Sequence, residues 1–436
     1  MRFPGRRNKT HYFPVQAARD PLLNRAGFEI CANRTHVVGL DQTLVDIEAR
    51  VTPEFIARYD LSKGQSVVIR TELAEALYRE LLEHKLISHE FAGGTVGNTL
   101  HNYSVLADDN SILLGVMSQE IRIGTSGYRY LSNTSSRVNL EHLQPVDGPI
   151  GRCFALITPE GERTFAINEG CMNLLRPESI PRQVFEQASS LVLTAYLMRC
   201  RPGDPMPEAA RQAISYAKEF AVPVVLTLGT RHVIAERPAF WRQFIADHVN
   251  VVAMNEEEAC ALTGEADPLL ACDRTLELTD MVLCTTGPNG LYMAGYTDDS
   301  VKRETRYPLL PGAIPEFNRY EFSRPILRRN CAEPKRVFAH ISPYMGGPER
   351  INNTNGAGDG ALAAVLHDMA ANRYHRANVP NSSKHVRDFL TYSSMSQVCR
   401  YANRVSYEVL VQDSPRLSRG LPEREEGLNE EAYWAR

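Results

Sequence analysis

Asn355-Gly356-Ala357-Gly358-Asp359-Gly360 sets one carboxylate among residues too small to shield their own backbone, immediately before ALAAVLHDM, a run of strong helix formers. A helix that starts this way is an anion site, because its first N–H groups lack intrahelical acceptors and the positive end of the dipole faces the ligand. A resting phosphate would repel Asp359. The acid is therefore more useful as a base, taking the proton of an attacking hydroxyl while the backbone of Gly356, Ala357 and Gly358 holds the charge of a transferring phosphoryl group. The same residues also read as a glycine-rich turn in which Asp359 caps a helix.

Phosphoryl transfer also needs a metal ion and a nucleotide pocket. Asn255-Glu256-Glu257-Glu258 follows the strand-like VNVVAM and opens a helix-like stretch. Acids then stand at the C-terminal end of a strand, where open α/β sheets bind ligands. Asn255 and Glu258 could hold a Mg2+ shell there through water, or the acids could simply answer the helix dipole. Thr285-Thr286-Gly287-Pro288-Asn289-Gly290 ends the run MVLC in a tight turn. Thr285, Gly287 and Gly290 either admit a nucleotide closely or form an ordinary turn. There is no G-x-x-x-x-G-K-[ST], so ATP would not be held by a P-loop. No G-x-G-x-x-G follows the first strand with an acid about 20 residues on, which weakens an NAD-dependent oxidoreductase. A non-catalytic nucleotide-binding regulator stays open at this point.

Strand ends must bring these groups together. His36–Leu40 and DQTLVDIEARV read as a strand, a polar turn and a second strand, and residues 72–86 carry leucines at helical spacing. FAGGTVGNTLHNYSVLA leads from a glycine-rich turn into a helix, and SILLGVM follows as a strand. Pro159-Glu160-Gly161-Glu162 joins two β-rich runs as a hairpin. Beyond it SSLVLTAYL, VPVVLTLG, NVVAMN and MVLCTTG alternate with helical stretches, which predicts a mostly parallel sheet covered on both faces. Residues 1–35 read as an arm, 296–350 as a surface insertion without periodicity, and 413–436 as a charged tail over the surface.

The bulk numbers exclude several classes. With 48 basic and 52 acidic residues the net charge is -4, which provides no field favouring nucleic acid. No apolar run approaches membrane-spanning length and no apolar h-region follows the basic N-terminus, so a cytoplasmic protein without membrane contact is expected. The nine cysteines lack any C-x-x-C pair and read as reduced thiols.

Taken together and in order, Gly93-Gly94-Thr95-Val96-Gly97-Asn98, Asn255 with Glu258, Thr285 with Gly287 and Gly290, and Gly356 to Asp359 resemble the ribokinase-like (PfkB) family of carbohydrate and nucleoside kinases over roughly residues 36–412. The resemblance implies a three-layer α/β/α sandwich with a mainly parallel central sheet and a small β lid from about 47–70 and 150–172. VVGLDQTLVDIEA, GGTVGNTLHNYSVLADD, NTNGAGDGALAA and SPRLSRGLPERE further resemble bacterial members that act on purine nucleosides. That implies ATP-dependent phosphorylation of the ribose 5′-hydroxyl of inosine and guanosine, giving IMP and GMP in purine salvage; another nucleoside or a sugar is the alternative acceptor.

Carried over by position, Asp46 matches the acid that grips ribose hydroxyls, with Asp41 just upstream. The residues Gly93 to Asn98 would let the sugar approach the backbone. Arg199 could donate to the 6-oxo and N7 edge of the purine, or be a surface arginine. The family commonly begins its G-A-G-D motif with D-T, where the acid helps a monovalent-cation site. Here Asn353 offers an oxygen without charge, so K+ is left open as an activator. A homo-oligomer is compatible with the sequence.

Overall fold

The computed structural model describes residues 35–107, 109–309, 311–315 and 317–421. The expected arm, up to residue 34, and the tail beyond 421 lie outside the described residues. In chain order the strands are β1 (His36–Leu40), β2 (Leu44–Arg50), β3 (Ser66–Val68), β4 (Ile87–Ala92), β5 (Ser111–Ser118), β6 (Val138–Asn139), β7 (Leu143–Val146), β8 (Gly151–Ile157), β9 (Arg163–Asn168), β10 (Ala188–Thr194), β11 (Val224–Thr227), β12 (Val251–Asn255), β13 (Met281–Thr285), β14 (Leu291–Asp298) and β15 (Pro334–Ile341).

The central sheet runs β15-β14-β13-β12-β11-β10-β1-β5-β6, with β7 on the far end of β5. Every pairing is parallel except the two made by β14, which alone runs against the other strands. Every residue of β10 and β11 is buried, which is why these strands read as unbroken apolar runs rather than alternating ones. Chain order moves one way from β1 to β5 and the other way from β10 through β13. Right-handed crossovers then put the intervening helices on opposite faces. The helices Thr95–Ala107, Ala357–Asn378 and Met395–Leu410 pack together as one layer; Met206–Glu219, Pro238–His248, Glu256–Thr263 and Pro268–Thr275 make the other. Gly39 in β1 is what lets the first layer approach so closely, since a Cβ there would sit 2.5 Å from Val96 and 2.7 Å from Leu100.

A second sheet, ordered β3-β9-β8-β2-β4, stands beside the first. Its β8–β9 hairpin is the one expected, closed by the Gly161 N–H donating to the Thr158 carbonyl at 2.8 Å. It also includes β4, whose half-exposed ISHEFA gives a weak strand pattern.

Two stretches differ from the sequence reading. Residues 296–350 are more than a surface insertion: they contain the end of β14, all of β15, and the buried Phe317 and Tyr320. As an edge strand opening on proline, PKRVFAHI buries only its middle, so little periodicity shows. The tail from Asp413 does not simply cover the surface either, since Arg416 and Leu417 are buried at 5% and 1% exposure.

Candidate active site

Strand order reverses between β1 and β10, the place where open α/β sheets bind ligands beyond their strand ends. Asp41 follows β1, Tyr196 and Arg199 follow β10, and Asn255 and Thr285 end β12 and β13 as register partners. Asp46 comes from the opposite side, on β2 of the smaller sheet, opposite Phe91 and Cys153.

The two early acids have different surroundings. Asp41 gives its oxygens to backbone: Oδ1 accepts from the Gln42 N–H at 2.9 Å and Oδ2 from the Gly97 N–H at 2.7 Å. It thus answers the positive end of the helix Thr95–Ala107 and fixes the turn before it, with Thr95 and the fully buried Val96 in the first helical turn. Gly94 sits at φ +88°, where a Cβ would come 2.5 Å from Asp41 Oδ2. At Gly93 a Cβ would strike the Asp46 carboxylate, so both glycines let the backbone lie flat against acids. Among the described residues the Asp46 carboxylate has only the Cys153 thiol as a hydrogen-bond partner.

Asp359 stands in the first turn of Ala357–Asn378. Gly356 precedes it at φ +80° with Pro415 against its Cα, while Gly358 has open space where a Cβ would be. The helix start leaves the N–H groups of residues 357–359 without intrahelical acceptors. Asn98 Nδ2 donates to Asp359 Oδ2 at 3.2 Å, across 261 residues of chain. Burial pushes the Asp359 carboxyl up to about 8; the Asn98 bond opposes this, nearby Asp41 and Asp46 add to it, and Arg416 opposes it. Burial likewise raises Asp41 and Asp46 to about 7, in each case against the pull of Arg416.

Arg416 is the site residue the motifs miss. Its Nε donates to Asn98 Oδ1 at 2.9 Å, Nη1 to Thr134 Oγ1 at 2.7 Å and the Asn133 carbonyl at 3.2 Å, and Nη2 to the Gly93 carbonyl at 3.3 Å. Its guanidinium lies over Tyr130, 5.4 Å from the ring centroid. The tail that carries it is tied down on both sides. Asn353 Nδ2 donates to the Asp413 carbonyl at 2.9 Å, Asn102 Nδ2 to the Pro415 carbonyl at 3.2 Å, and the Leu417 N–H to Asn102 Oδ1 at 2.7 Å. The only hint in the sequence was the SPRLSRG segment itself.

At the end of β12, Asn255 and Glu258 form a reciprocal capping box, with Glu258 N–H to Asn255 Oδ1 at 2.8 Å and both Glu258 oxygens accepting from Asn255 at 3.0 Å. Burial raises Glu258 to about 7. Among the described residues no three His, Cys, Asp or Glu side chains converge to hold a metal directly. Thr285 ends β13, and the turn after it closes through Thr286 Oγ1 to the Gly290 carbonyl at 3.0 Å. Gly287 has open space beside it, while Gly290 is required by the close pass of the Ile341 carbonyl, a structural duty. Arg199 is half-buried, and among the described residues its guanidinium has no hydrogen-bond or ion-pair partner. Asn355, at the head of the glycine motif, reaches the smaller sheet: Nδ2 donates to Glu48 Oε1 at 3.0 Å and Oδ1 accepts from Arg163 Nη1 at 2.7 Å.

Comparison with known proteins fits this arrangement. The pfkB family carbohydrate kinase pattern matches residues 122–308. Guanosine-inosine kinase of Escherichia coli strain K12 is 66% identical over 436 residues, covering 100% of both chains. Adenosine kinase of Saccharomyces cerevisiae is 25% identical over 240 residues, 51% of this chain and 64% of its own. In three dimensions the chain resembles the adenosine kinase of Sinorhizobium meliloti, with a TM-score of 0.63 at 19% identity over 88% of this chain and 96% of that one.

Proposed function

Because the chain belongs to the pfkB family of carbohydrate kinases, and within it is a nucleoside kinase transferring a phosphoryl group to an alcohol, we propose that its acceptors are guanosine and inosine, phosphorylated by ATP at the ribose 5′-hydroxyl to GMP and IMP. The observation carrying this choice is the 66% identity, end to end, with a guanosine-inosine kinase.

The ribose lies on the Gly93-Gly94 turn with its hydroxyls donating to Asp46, whose oxygens are the less engaged of the two acids. Asp41 contributes by holding the turn. Asp359 takes the 5′-hydroxyl proton, and the amides of residues 356–358 face the charge on the transferring group. Arg199 is free to donate to the 6-oxo edge that guanine and hypoxanthine share. ATP lies along the ends of β12 and β13, against Thr285 and Gly287. Each Glu258 oxygen accepts one bond from Asn255 and keeps a lone pair, which fits a Mg2+ ion carried on the phosphates and met through water. When bound, that ion neutralises phosphate charge. Asn353 Oδ1 accepts one bond, from the Asn355 N–H, and keeps a lone pair, while its Nδ2 donates to the Asp413 carbonyl, so a K+ ion could take at most this one uncharged oxygen from it and would need others from the loop. The smaller sheet serves as the lid, excluding water from the reacting phosphate. The eight described cysteines are free thiols, which suits a reducing compartment such as the cytoplasm.

The test is ADP release by purified protein with Mg2+·ATP and guanosine, inosine, adenosine or ribose in parallel, against a no-acceptor control. Release with guanosine and inosine alone is expected, and preference for adenosine or ribose would overturn the acceptor assignment. Asp359→Asn should cut kcat by at least about 100-fold with little change in guanosine binding; near-wild-type turnover would remove Asp359 as the base.

A further inference from the structure

Arg416 is a buried cation, reached from beyond the last helix, that no motif of the site explains. We propose that Arg416 is a positioning residue for phosphoryl transfer: its guanidinium fixes the orientation of the Asn98 amide, which in turn holds Asp359 toward the acceptor hydroxyl. This rests on the reading of Asp359 as the base.

The argument is one of hydrogen-bond polarity. A guanidinium only donates, so the Asn98 atom at 2.9 Å from Arg416 Nε must be the carbonyl oxygen. The amide NH2 is then turned to Asp359 Oδ2 at 3.2 Å, leaving Asp359 Oδ1 for the proton it takes. Without that donor the amide can rotate and set its oxygen against the carboxylate, which the ionised acid would resist. Arg416 is held too firmly to be incidental, being 5% exposed with four acceptors from two stretches of chain, 93–98 and 133–134. None of those acceptors is a carboxylate, so its charge is spent on no single acid and acts on several. Around Asp359 stand Asp41 from the loop after β1, Asp46 from β2, Asn98 from the helix Thr95–Ala107 and Arg416 from the tail. Arg416 itself also faces Tyr130 and His101, whose ring it helps to keep neutral.

Full-length Arg416→Gln and Arg416→Lys, assayed with guanosine and Mg2+·ATP beside wild type, decide the matter. Arg416→Gln should lose about 100-fold or more in kcat, the scale of a misplaced catalytic group, with KM for ATP nearly unchanged. The acid limb of its kcat/KM profile should move up, because a cation opposing protonation of Asp359 is gone. Arg416→Lys keeps the charge but cannot span Asn98, Gly93 and Thr134, so kcat should fall while the acid limb stays near that of wild type. Thermal unfolding of each variant separates loss of function from loss of fold. Should Arg416→Gln not fold, Arg416→Lys alone carries the test. Wild-type kcat and pH profile in a folded variant would overturn the assignment. A wild type inactive on guanosine would instead overturn the acceptor reading on which the assignment rests.

Discussion

Asp359 feels both Asp41 and Asp46, and burial disfavours the charge on all three, a cost that should be measurable in the ligand-free protein. Burial holds Asp359 up near 8 and Asp41 and Asp46 near 7, all above the ordinary carboxylate range. A raised acid stabilises the fold fully only below its unfolded value of about 4, and that stability is lost as pH rises through the folded value. Asn has the shape of the neutral acid and never ionises. Asp359→Asn should therefore melt higher than wild type, with a gap that is nil near pH 4, grows with pH and levels off above about pH 8. Calorimetry across pH 5 to 9 checks this, and a gap that is flat or shrinks would show that Asp359 is not raised. Such a gain in stability beside a loss of turnover is what a strained catalytic group predicts. Asp359 is marked in the sequence by the glycines on either side of it, whereas Asp41 and Asp46 have no such neighbours and were read from the family resemblance alone. Arg416 was not legible, since its bonds to Asn98 and Gly93 cross 318 and 323 residues of chain and leave no local pattern.

Elements with a period were easily read. The helix Thr71–Glu83 buries Ala74, Leu77 and Leu81 at helical spacing, and β10 to β13 show as apolar runs because both faces are covered. The segment Asp413–Leu417 has no period at all: its backbone is satisfied by side chains of distant elements, and such pairing is invisible to a scan for amphipathicity. Asn353 shows the consequence for a single substitution. It is 3% exposed, accepts from the Asn355 N–H at 2.8 Å and donates to the Asp413 carbonyl at 2.9 Å. An aspartate can do the first and not the second, and would set an anion against a carbonyl. Asn353→Asp should destabilise the protein by about 1 to 3 kcal/mol in urea unfolding, the range for a buried hydrogen bond broken on one side. It should also raise KM for guanosine, because the released tail carries Arg416 away from Gly93 and Asn98. Unchanged stability and KM would mean the tail is held without Asn353.

For the molecule as a whole, the acids belong to different bodies. Asp46 is carried by the smaller sheet, whereas Asp359 starts a helix packed on the central sheet. The site is complete only while the two sheets stay closed on each other, so whatever holds them together also assembles the chemistry. Asn355 is placed to do this, since it bonds at once to Glu48 on β2 and Arg163 on β9 from just before the helix Ala357–Asn378. Asn355→Ala removes both bonds and leaves the backbone of the anion site in place. With the small sheet freed, its backbone should exchange hydrogen faster over residues 151–168, an effect read by mass spectrometry against unchanged exchange in β10 and β11. KM for guanosine should rise, and ADP release without any acceptor should increase several-fold as water reaches the phosphate. If exchange in β8 and β9 were unaltered while acceptor-free hydrolysis still rose, Asn355 would be shielding the phosphate directly rather than holding the lid. If neither changed, closure would have to come from the bound nucleoside, with Asp46 drawn in by the ribose hydroxyls proposed to donate to it.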